Sequence, residues 1–148
     1  MAGGERQRLF FLPPIEHDEV IRAMEPFDAG LALERPDNGN YSRTVTNKLF
    51  SYLLGGLAVA ATDTPGQREV MSQIPAAGFS YPAGDARALA AGLLNWVRDR
   101  QSLRAAQHAS WNAGSARFCW DCEREKFLAL FASPASRELV MAEGSAAS

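Results

Sequence analysis

The residues with the clearest chemical potential are Thr46, Asn47 and Lys48, which stand where a helix is predicted to begin. The first turn of a helix presents backbone N–H groups without partners and the positive end of the helix dipole. A lysine at this position is unfavourable against that dipole, so it indicates a nearby anion more than a lysine elsewhere would. The pattern is typical of a phosphate site, and the alternative is a lysine that simply faces solvent.

A second candidate for chemistry is the pair Cys119 and Cys122 near the start of the last predicted helix. A structural zinc site needs four ligands, and the two histidines, His17 and His108, are not at a suitable spacing. A thioredoxin-like pair would open the helix that follows the first strand, whereas this pair comes at the last helix. We therefore expect neither a metal site nor redox chemistry here.

Short apolar runs alternate with helical patterns along the chain. Four strands are predicted, at residues 8–12, 27–33, 58–62 and 78–81. Apolar residues at helical spacing predict helices at residues 16–24, 47–57, 67–72, 85–97 and 102–113, and a last one from Trp120 to about residue 131. This alternation predicts an α/β fold, a Rossmann-like parallel sheet of about four strands flanked by helices. Residues 1–132 are expected to form one domain, and residues 133–148 a flexible tail.

Ligands of such sheets bind at the carboxyl ends of the strands. This directs attention to the loops at residues 13–16, 34–48, 63–67 and 82–85. Glu34 ends the second predicted strand on this side, where it either contacts ligand hydroxyls or pairs with Arg35 or Arg43. Gly66 either approaches a ligand through its backbone or belongs to an ordinary turn between strand and helix, and Asp85 is predicted to be a helix cap.

Composition limits the class of protein. The chain has 148 residues, of which 47% are hydrophobic and 22% charged, as is ordinary for a globular domain. Its net charge of −2 argues against a general nucleic-acid binder. The sequence shows no membrane-spanning run and no signal peptide, so a cytoplasmic location is the default expectation.

Residues 46–66, TNKLFSYLLGGLAVAATDTPG, resemble the stretch NKLFEYLAAGLPVVATDTPG of family-4-like bacterial glycosyltransferases with the GT-B fold. The resemblance extends to Phe11-Leu12-Pro13, to residues 27–31 and to residues 116–121, and it covers roughly residues 8–131. It implies the later part of the C-terminal, donor-binding domain of such an enzyme. The donor implied is a nucleotide-diphosphate sugar, bound without a metal or another cofactor. The implied donor-binding residues are Pro13, Glu34, Arg43, Thr46, Asn47, Lys48, Ser51 and Gly66.

The sequence departs from the family pattern in three ways. Ser51 stands where most relatives have a glutamate that grips the ribose hydroxyls, and Arg43 stands at the partner glutamate eight positions earlier. The family's first two strands and its N-terminal acceptor domain have no counterpart here. We therefore expect an incomplete domain that does not catalyse on its own. Its unpaired sheet edges predict a homodimer or low stability.

Two functions are compatible with these features. The resemblance implies transfer of a sugar to an acceptor in cell-envelope or exopolysaccharide synthesis, with peripheral membrane association of the full enzyme. No catalytic residue is assigned. The alternative is a non-catalytic α/β interaction or oligomerisation module derived from such an enzyme, which the replacement of both carboxylates favours.

Overall fold

A three-stranded parallel sheet forms the centre of the fold. The computed structural model of the chain describes residues 10–35 and 44–132. The strands are β1 (Ala29–Ala32), β2 (Ala58–Thr62) and β3 (Gly78–Tyr81), and they pair in the order β1-β2-β3. Ala29 lies opposite Ala58, and Val59 lies opposite Gly78. The expected α/β class with a parallel sheet is confirmed.

Six helices accompany the strands in the described residues. They are α1 (Val20–Ala23), α2 (Asn47–Leu54), α3 (Pro65–Gln73), α4 (Ala86–Arg98), α5 (Arg100–Ala116) and α6 (Trp120–Ala132). A 3-10 turn at His17–Glu19 leads into the one-turn helix α1, and a second 3-10 turn, Pro75–Ala77, precedes β3. Helices α4 and α5 begin at aspartate caps, Asp85 and Asp99, whose carboxylates accept backbone N–H groups of the first turn.

Helices cover both faces of the sheet. The central strand β2 is buried over its whole length, and its alternating residues serve two different cores. Val59 and Ala61 face a cluster built mainly from α2 and α3, which includes Leu49 and Leu53. On the opposite face β2 packs against α4 and α5 through Ala58, Ala60, Trp96, Leu103 and Ala106. The layers therefore match a doubly wound arrangement.

The described residues form three strands rather than about four. Phe10, Phe11 and Leu12 belong to the predicted first strand but are highly exposed and pair with no strand. Residues 8 and 9 lie outside the described ranges. Among the described residues, none of the three strands pairs with this run. Without a partner for its backbone hydrogen bonds, an apolar run does not form a strand.

The other differences concern lengths. The helix predicted over residues 16–24 is a 3-10 turn followed by the four residues of α1. The strand predicted over residues 27–33 is confined to Ala29–Ala32. The predicted tail from residue 133 lies outside the described residues. Within residues 10–35 and 44–132, the helices are too short or too polar for any of them to cross a bilayer.

Candidate functional site

A buried carboxylate at the end of β1 meets the start of α2. The Glu34 backbone N–H donates to the carbonyl of Ala32 at 3.2 Å, which turns the chain just after the strand. The Glu34 side chain is only 7% exposed. Its Oε1 lies 2.8 Å from Lys48 Nζ and accepts a 2.9 Å hydrogen bond from the Thr46 hydroxyl. Lys48 of α2 is therefore a partner of Glu34, whereas the sequence had suggested only Arg35 and Arg43 as partners.

Among the described residues, no side chain caps the start of α2. Thr46 has the extended backbone of an N-cap residue, but its hydroxyl makes no bond to the first turn because it donates to Glu34. The first turn contains no acidic residue. Backbone N–H groups of an uncapped first turn remain available to an anion. Asn47 and Lys48 are both exposed beside them.

The charge of Glu34 is stabilised by these neighbours. The hydrogen bond from Lys48 lowers the pKa of Glu34 below its ordinary value, and the Thr46 hydroxyl and the charge of Lys48 act in the same direction. Burial of the carboxyl opposes them. Tyr52 lies in the same helix, and burial raises the pKa of its phenol. Glu34 is thus held ionised at neutral pH.

Lys48→Gln should raise the pH at which Glu34 titrates, because the largest cause of its lowered pKa is removed. A carboxyl whose pKa is lower in the folded chain contributes stability above its ordinary pKa, and that contribution is lost as the pH falls through the folded value. The variant should lose about 0.5–1 kcal/mol of unfolding free energy near neutral pH, since Lys48 is half exposed and solvent screens the pair. Carboxyl NMR titration and urea unfolding against pH measure both effects.

The matched control is Lys126→Gln, which removes the only other lysine in the sequence. Lys126 pairs with Glu123 at 2.6 Å on the exposed side of α6, far along the chain from Glu34. This variant should leave the Glu34 titration unchanged. An identical Glu34 titration in wild type and Lys48→Gln would contradict the ion pair.

The carboxyl ends of the strands are tied together by a buried hydroxyl. Thr62 Oγ1, at the end of β2, lies 3.3 Å from the carbonyl of Ala32 in β1 and 3.4 Å from the Tyr81 hydroxyl in β3. All three strands therefore meet at one side chain. This fixes the edge of the sheet from which Glu34 projects.

Sequence reasoning missed Gln67, which lies in the first turn of α3. Its side chain is fully buried, and both its amide nitrogen and its amide oxygen lack a hydrogen-bond partner among the described residues. A buried polar group without a partner costs about 1–3 kcal/mol. The signal in the sequence was a glutamine directly after the turn Thr64-Pro65-Gly66, at a position that the fold buries.

The structure brings together part of the predicted donor-binding set. Glu34, Thr46 and Lys48 are in direct contact, and Asn47 and Ser51 follow on α2. Gly66 is buried in the first turn of α3, which supports the ordinary turn. Pro13 is exposed, and the hydrogen bonds and ion pairs of the described residues do not join it to Glu34. Arg43 lies outside the described residues.

The three tryptophans differ in exposure. Trp96 is buried at 6% exposure and contacts the Phe79 ring, with centroids 4.9 Å apart. Trp111 and Trp120 are 53% and 69% exposed. Trp96 is therefore the tryptophan that belongs to the core.

Comparisons with known proteins found no family, curated protein or solved structure that matches the chain. Within the residues that the structure describes, no three His, Cys, Asp or Glu side chains are grouped so that they could hold a metal ion. The geometry of the site is therefore the main guide to its function.

Proposed function

We propose that this chain is the donor-binding part of a glycosyltransferase, which holds a nucleotide-diphosphate sugar while a separate domain supplies the acceptor. The sugar would be transferred in cell-envelope or exopolysaccharide synthesis. The observation that carries the proposal is the uncapped start of α2 with Lys48 beside it, at the carboxyl edge of a parallel sheet. Ligands of α/β sheets bind at that edge, and an open helix start suits a diphosphate.

The residues around Glu34 and the start of α2 offer groups for the diphosphate and for the sugar hydroxyls of such a donor. The diphosphate oxygens accept hydrogen bonds from the first turn of α2 and from the Lys48 ammonium group, which is half exposed and leaves its ion pair with Glu34 to reach them. Glu34 then keeps its bond from Thr46 and accepts a hydroxyl of the ribose or of the sugar. Ser51 lies one turn further along α2 and offers one hydroxyl.

In the transfer step these groups act by stabilising charge. Cleavage of the bond between sugar and diphosphate leaves negative charge on the departing phosphate oxygens. Fixed N–H groups and an ammonium group aimed at those oxygens stabilise the transition state more than the ground state. The proposal gives this chain binding and leaving-group stabilisation, and it leaves acceptor activation to the other domain.

Titration with uridine and guanosine diphosphates, followed by backbone amide NMR, tests the proposal. The amides of Asn47, Lys48 and Ser51 are expected to shift in a saturable way with at least one of the two. Lys48→Gln should weaken that binding about tenfold, because a hydrogen bond from a charged group contributes about 1.5 kcal/mol.

Lys126→Gln serves again as the control, because it removes the same charge from the chain while leaving α2 intact. It should bind both nucleotides like the wild type. The proposal would be overturned if neither nucleotide shifted the amides from Asn47 to Ser51. It would also be overturned if Lys48→Gln and Lys126→Gln weakened nucleotide binding equally.

A second candidate function is a non-catalytic interaction module. It is favoured by two exposed apolar side chains, Leu31 at 37% and Leu33 at 47% exposure. They lie at the edge of β1 that pairs with no other strand of the described residues. An open strand edge with apolar neighbours promotes pairing with another chain. Analytical sedimentation of the samples used for the NMR titration separates the two candidate functions. A stable dimer whose amides do not shift with either nucleotide would support the interaction module.

A further inference from the structure

Two thiols lie side by side at the start of α6. Cys119 directly precedes the helix, and its carbonyl accepts the backbone N–H of Glu123 at 3.1 Å, which makes it the N-cap residue. Cys122 is the third residue of the helix. The two sulfurs are 3.1 Å apart. Both thiols are half buried, and the Ser115 carbonyl at the end of α5 lies 3.2 Å from the Cys119 sulfur.

The surroundings make the two thiols unequal. The hydrogen-bonding contact between the two thiols lowers the pKa of Cys119, and so does the backbone N–H of Cys122. Burial and the Asp121 charge oppose this, and the backbone N–H of Asp121 adds a further small lowering. The same contact raises the pKa of Cys122. Open N–H groups at a helix start favour a thiolate in this way. Cys119 is thus the nucleophile of the pair.

A cleft gives small molecules access to Cys119. It has a volume of about 440 Å³ and is lined by Phe50, Phe118, Cys119, Trp120 and Glu123. The rings of Phe50 and Phe118 stand 5.6 Å apart and join α2 to the segment before α6. The cleft therefore connects the cysteine pair with the helix that begins at Asn47.

We propose that Cys119 and Cys122 form a redox-active dithiol that closes to a disulfide by exchange with the disulfide of a small thiol. The Cys119 thiolate attacks one sulfur of that disulfide, so that a mixed disulfide forms and one thiolate leaves. Cys122 then loses its proton and attacks the Cys119 sulfur, which releases the second thiolate. The two cysteines are oxidised, the small disulfide is reduced to two thiols, and the protons of the cysteines go to these thiols.

The geometry already favours the second step. A disulfide bond is about 2.05 Å long, so the two sulfurs need to approach by only about 1 Å. A structural zinc site needs four ligands. The described residues add no third or fourth ligand to the two cysteines, so the pair is not proposed as a zinc site. The sequence analysis expected no redox chemistry because the cysteine pair lies at the last helix. The structure places both thiols together at the start of that helix, which favours redox chemistry.

The test treats the full chain with glutathione disulfide at neutral pH, quenches it with acid and measures intact and peptide masses. Wild type is expected to lose two hydrogens and to carry no lasting adduct. Cys122→Ser should accumulate one glutathione adduct at Cys119, because the mixed disulfide cannot be resolved. Cys119→Ser should form its adduct at Cys122 at least about tenfold more slowly, because Cys122 does not line the cleft and lacks the backbone N–H groups at the helix start that stabilise a Cys119 thiolate.

Circular dichroism of both serine variants confirms that they keep the fold, which is expected because both thiols lie at the periphery. Stable adducts on both cysteines of the wild type would overturn the proposal. Equal rates of adduct formation in Cys119→Ser and Cys122→Ser would overturn the assignment of Cys119 as nucleophile, and with it the mechanism proposed.

Discussion

Gly78→Ala is expected to lower the free energy of unfolding by about 3 kcal/mol, near the upper end of the cost of overfilling a packed interior. Gly78 begins β3 beside Val59 of β2. A methyl group on its Cα would overlap the carbonyl oxygen of Val59, which is backbone and cannot rotate away. The backbone of Gly78 is extended, so the cost is steric rather than conformational. Urea unfolding followed by circular dichroism measures it.

Ser80→Ala is the matched control in the same strand. Ser80 is exposed, so loss of its hydroxyl should change stability by less than about 0.5 kcal/mol. If Gly78→Ala were as mild as this control, β2 and β3 would not approach each other as closely as the structure has them.

Gly114→Ala is expected to destabilise the chain by about 2 kcal/mol, although the same exchange in an exposed helix interior stabilises by up to about 1 kcal/mol. Gly114 lies inside α5 where that helix crosses α2. An added methyl carbon would lie 2.7 Å from the carbonyl carbon of Leu53 and 2.8 Å from its oxygen. The two helices would have to separate. Urea unfolding measures the change in the free energy of unfolding, and its sign is the more informative result.

Asn112→Ala provides the comparison within α5. Asn112 is exposed, and alanine has the higher helix propensity, so this variant should be neutral or slightly stabilising. A stabilising Gly114→Ala would contradict the close crossing of α5 and α2. Because α2 carries Lys48, Gly114 also helps to hold the candidate site in place.

Local patterns predicted most of the elements. Alanine-rich residues 58–62 form β2 with the predicted bounds, and β3 also has them. Asp85 caps α4 through the N–H groups of Arg87 and Ala88, as expected. Each of these features depends on residues within a few positions of one another, which is why the sequence shows it directly.

The strand predicted over residues 8–12 failed for the opposite reason. Its apolar composition is typical of a strand, but a strand also needs a neighbour to accept its backbone hydrogen bonds. Among the residues that the structure describes, Phe10 to Leu12 have no such neighbour.

The sequence by itself determined the α/β class, the elements from β2 to α6, and the position of Lys48 at the start of α2. Only the tertiary structure decided that Lys48 pairs with Glu34, that Gln67 is buried without a partner, and that Gly114 meets Leu53. Helix and strand patterns arise from interactions between near neighbours in the chain. Contacts between distant segments depend on how whole elements pack, and no short window of sequence contains that information.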